Sequence, residues 1–147
     1  TASRPGGAWG RSSKEDAARR SVYIFVKRSL HEPFLASFDW ADTDNTCDVR
    51  FVTTVPTQTL TMINSKFLND AAETLAKRLQ TEKPGDVNAQ VRRALELATS
   101  RPPTQQDVAE GIAFIKNFQS KSNLDENQSL QRFCLLVLNL NEFVFLD

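Results

Sequence analysis

Apolar positions in the second half of the chain recur at helical spacing. From Gln58 to Leu79 they fall at Leu60, Ile63, Phe67, Ala71, Leu75 and Leu79, with Leu68 and Ala72 widening the stripe. That period predicts one amphipathic helix, with Thr57 as its N-cap and Pro84-Gly85 as its stop. A second helix is predicted from the N-cap Asp86, burying Val87, Val91, Ala94, Leu95 and Ala98 before Pro102-Pro103. Thr104 and Asp107 form a capping box that opens a third, through Val108, Ile112, Ile115 and Phe118. Residues 119–123 read as a surface connection, and Asn123 with Glu126 as the cap of a last helix. That helix carries Leu130, Phe133, Cys134, Val137 and Leu138. It is apolar nearly all round from Phe133 to Leu140, which places it centrally.

The first half is patterned differently. Glu15 to Arg20 favours helix, whereas Val22-Tyr23-Ile24-Phe25-Val26 is β-branched and aromatic. A helix running into an extended end accounts for both. Residues 31–56, with Pro33, Pro56 and an aspartate-rich middle, read as a long ordered loop. The predicted fold is mainly α: a compact bundle of about four to five helices with that loop, and a short β element near 22–26 as the open alternative.

Composition narrows the function. A chain of 147 residues that is 40% hydrophobic suffices for one core. The Gly/Pro/Ser-rich start, from Thr1, predicts a linker-like tail over 1–12 and a single helical domain over 13–147 within a larger protein. The formal net charge of zero argues against nucleic acid or an anionic membrane surface as partner, since both select a basic footprint. Arg19, Arg20, Lys27 and Arg28 alternate with Tyr23 and Phe25, a mixture suited to single strands, but the balance of acids favours internal pairing. The apolar run Val22–Val26 is too short to span a bilayer.

Candidate chemistry concentrates in FDWADTDNTCDVR, residues 38–50. Asp39, Asp42, Asp44 and Asp48 supply hard oxygen ligands, yet the EF-hand pattern fails, because Cys47 and Thr53 stand where it needs Gly and Glu. Asx-turns, caps and pairing to Arg28 or Arg50 are the structural alternative. Cys47 and His31 are a conceivable nucleophile and base without an orienting third residue. Asp39 and Glu142 are the acids to test as a glycosidase pair. With one histidine, two cysteines and no Cys-x-x-Cys, no haem, metal centre or other cofactor is expected. Cys134 lies in an apolar run and Cys47 among acids, so both are expected as reduced, unbridged thiols.

RRSVYIFVKRS, FDWADTDNTCDVR, TTVPTQTLTMIN, SRPPT and LNLNEFVFLD, in that order, resemble a carboxy-terminal domain of unknown function in large exported planctomycete proteins. That domain is often carried with an amino-terminal cytochrome-c-like domain. The likeness spans about residues 8–147. It rests on Tyr23, Phe25, Lys27, Arg28, Phe38-Asp39, Cys47, Arg50, Pro56, Gln58, Leu60, Asn64, Arg101-Pro102, Asn139, Asn141, Glu142 and Phe143. Ala41, after Trp40, departs from the proline usual shortly after Phe-Asp, which implies a less rigid loop.

The resemblance implies a mostly helical, exported, multidomain setting and carries no activity. The expected function is a non-catalytic structural or interaction module whose partners are other domains of the same polypeptide. The alternative is carbohydrate binding or polysaccharide processing at the 38–50 loop. Asp39, Trp40, Cys47, Arg50, Gln58, Asn64 and Glu142 are the candidate binding residues.

Overall fold

The computed structural model describes residues 13, 15, 19–23, 33–40 and 56–145. These residues are mostly helical, with no strand among them. The chain divides into two units, Thr1–Thr61 and Met62–Asp147.

In the first unit, Ser21–Tyr23 forms a 3-10 turn rather than the start of a strand, with Val22 and Tyr23 exposed. Ile24–Val26 lie outside the described residues. The stretch read as loop from residue 31 holds a short helix, α1 (Pro33–Ala36). Its exit is tied by the Ser37 hydroxyl donating to the Phe34 carbonyl at 2.7 Å and by Phe38 N–H donating to Leu35 O at 3.0 Å. The Phe34 and Phe38 rings lie 5.6 Å apart. Local aromatic packing thus gives a proline-initiated turn enough support to be helical. Helix α2 (Pro56–Asn64) also starts on its proline, whose fixed φ and missing N–H suit the first turn. Thr57, expected as N-cap, is therefore inside the helix.

The helix read as continuous from Gln58 to Leu79 is interrupted. Ser65 adopts an extended conformation (ψ 126°) between α2 and α3 (Lys66–Glu82). The buried face differs from the predicted stripe. Met62, Leu68, Ala72, Ala76 and Leu79 are buried, whereas Ile63 and Phe67 are exposed. On a projection of 100° per residue these five fall within one arc of about 120°, rotated away from Ile63 and Phe67.

The rest of the second unit is a bundle of α3, α4 (Val87–Thr99), α5 (Gln105–Ser122) and α6 (Glu126–Val137), with a final turn α7 (Asn141–Val144) against α4. Asp86 caps α4 by accepting from Ala89 N–H at 3.0 Å. Thr104 and Asp107 exchange both capping-box bonds at the start of α5. Helix α5 runs on to Ser122, through the expected connection, and Asn123 ends it in the left-handed region (φ 51°). The cap of α6 is consequently Asp125 with Gln128, not Asn123 with Glu126. The extension of α5 to Ser122 makes Asn123 its C-cap and leaves Asp125 to start α6.

Helix α6 is central as expected, packing most extensively on α3 and next on α5. Leu130, Phe133, Cys134 and Val137 are buried on it, as are Val91 and Ala94 of α4 and Val108 and Ile115 of α5. The tightest point is Gly111, mid-way along α5. A Cβ there would stand 2.6 Å from Val91 Cγ1 and 3.0 Å from the Phe133 ring. Glycine costs about 1 kcal/mol relative to alanine within a helix, and here it lets three helices approach.

Gly111→Ala is expected to destabilise the bundle by about 1–3 kcal/mol despite its better helix propensity, read as a lowered melting temperature. Adding Val91→Ala should restore part of the loss, because it removes the 2.6 Å clash.

Candidate functional site

Of the candidate residues, Cys47 and Arg50 lie outside the described residues, as do His31, Asp42, Asp44 and Asp48. Asp39 and Trp40 follow α1 in the first unit, and both are partly buried. Asp39 has φ 55°, a left-handed conformation that aspartate tolerates better than most residues. Gln58 is buried on α2, 3% exposed, and Asn64 is exposed at the end of that helix. Glu142 is on α7 in the second unit.

Glu142 is not a buried acid. Its carboxylate is half-exposed and lies 4.0 Å from the Arg101 guanidinium, which also stands 4.0 Å from Asp107. Arg101 therefore sits between the start of α5 and α7, an arrangement joining positions far apart in sequence. Asp107 is held below the usual carboxylate range mainly by the Thr104 backbone N–H, then by the Thr104 hydroxyl, with Arg101 a minor cause. This is a cap electrostatically committed to the helix terminus, not a proton donor in waiting. Asn141 and Glu142 are exposed on the short α7. Asn139 is partly buried and donates from Nδ2 to Leu135 O at 2.7 Å.

Other charges form surface ladders. Glu82 accepts from Arg78 Nε at 2.6 Å and from Arg93 Nε at 3.0 Å, which lowers its pKa and raises that of Arg93. Lys66, paired to Asp70 at 2.8 Å, is likewise raised. Solvent screening keeps such pairs weak, so they tune helix termini and the α3–α4 turn more than they create reactivity. Among the described residues no three of His, Cys, Asp and Glu come together as metal ligands. None of the described helices is long and apolar enough to cross a membrane.

The polar groups that are buried hold the bundle. Gln90, 3% exposed, donates from Nε2 to Lys83 O at 2.8 Å, tying α4 back to the end of α3. It falls on the Val87–Val91–Ala94 face, so a glutamine on an apolar stripe was the available signal for it. Asn69 donates from Nδ2 to Ile63 O and Ser65 O, both at 2.9 Å, across the α2–α3 interruption. No local pattern marks that role. Ser129 is fully buried on α6, with its hydroxyl unpaired. Cys134 is a free, fully buried thiol, and burial pushes its pKa up to about 12.

The Cys134 thiol should therefore resist iodoacetamide at pH 8 in the folded chain and react on unfolding, as read by peptide mass mapping. Its folded pKa lies above the ordinary 9.0, so the folded state retains the proton while the unfolded chain loses it. That stability is fully present below pH 9.0 and declines as pH rises toward about 12. Melting temperature should fall more steeply over that window in the natural chain than in Cys134→Val.

Residues 2–115 match a family described as PSD1, protein of unknown function (DUF1553). The match takes in α1 to α4 and α5 as far as Ile115. No curated protein and no solved structure matches the chain. Spanning well over half of the sequence, the match shows that the chain belongs to the PSD1 family of proteins of unknown function.

Proposed function

We propose that this chain is a non-catalytic structural or interaction module of an exported multidomain protein, acting on other domains of its own polypeptide. The observation that carries the reading is how titratable groups are used. Catalytic sites displace acids and nucleophiles toward reactivity. Among the described residues the shifted acids, Glu82 and Asp107, are lowered by pairing and capping at the surface. The strongly displaced thiol, Cys134, is moved away from reactivity. The buried amide of Gln90 serves helix attachment. The exported setting and a cytochrome-c-like neighbour rest on the sequence resemblance to planctomycete proteins.

The test is to mix the purified chain with the separately produced remainder of its polypeptide. Saturable binding is expected by calorimetry, and no reducing sugar should be released from a broad polysaccharide panel. Polysaccharide turnover that is lost in Asp39→Ala or Glu142→Gln without a change in melting temperature would replace this reading with the carbohydrate one.

A further inference from the structure

We draw no further inference here: the strongest candidate, the exposed apolar surface of Leu136 at the end of α6 and of Phe143 and Phe145 at α7, carries nothing because nothing in the structure shows what covers it.

Discussion

The second unit depends on the contact of Phe133 with Gly111. Helix α6 can be central only if α5 approaches it at backbone distance, and Val91 of α4 fills the remaining space above the same glycine. Around this point the large side chains are arranged accordingly: Phe114 stands 6.3 Å from Phe133 and 4.8 Å from Phe118, which extends aromatic packing along α5. Close packing makes the seam intolerant of even one methyl group, so the positions of α4, α5 and α6 follow from it together.

Helix ends are the second level of organisation. Asp86, Thr104 with Asp107, and Asp125 with Gln128 satisfy N-terminal amides, while Ser100 and Asn123 turn the chain out of α4 and α5 in the left-handed region. These polar residues are exposed and cheap to solvate, yet they set where each helix starts and so which residues reach the core. Arg101 adds a long-range version, lying between Asp107 at the start of α5 and Glu142 on α7.

The same economy describes the shifted titratable side chains among the described residues. Pairing at exposed helix surfaces lowers acids modestly and leaves them ionised, which suits caps and solubility. Burial, the other route to altered reactivity, falls on Cys134, and there it disfavours the thiolate. What distinguishes the molecule is its packing and the use of amides, Gln90 and Asn69, to join helices at their ends.

The helical class, the existence of α4 and α5, the Asp86 cap, the Thr104–Asp107 box and the central place of α6 were all legible in the sequence. Each rests on local rules: a period of 3.6, a cap three residues from its amide, and an apolar run without charge. Legibility failed at helix boundaries. Asn123–Glu126 reads as the cap of the last helix, but α5 extends to Ser122, so that Asn123 ends it and Asp125–Gln128 caps α6. The stripe from Leu60 to Leu79 described a single helix, but the chain breaks at Ser65 and buries Met62 and Ala76 while leaving Ile63 and Phe67 exposed. Candidate-site residues were legible as types, not as places: Glu142 is a surface partner of Arg101, and Gln58 is buried. Sequence determines which backbone groups can be satisfied locally. Which of two satisfied alternatives survives is decided only by packing, because that energy belongs to pairs of residues distant along the chain.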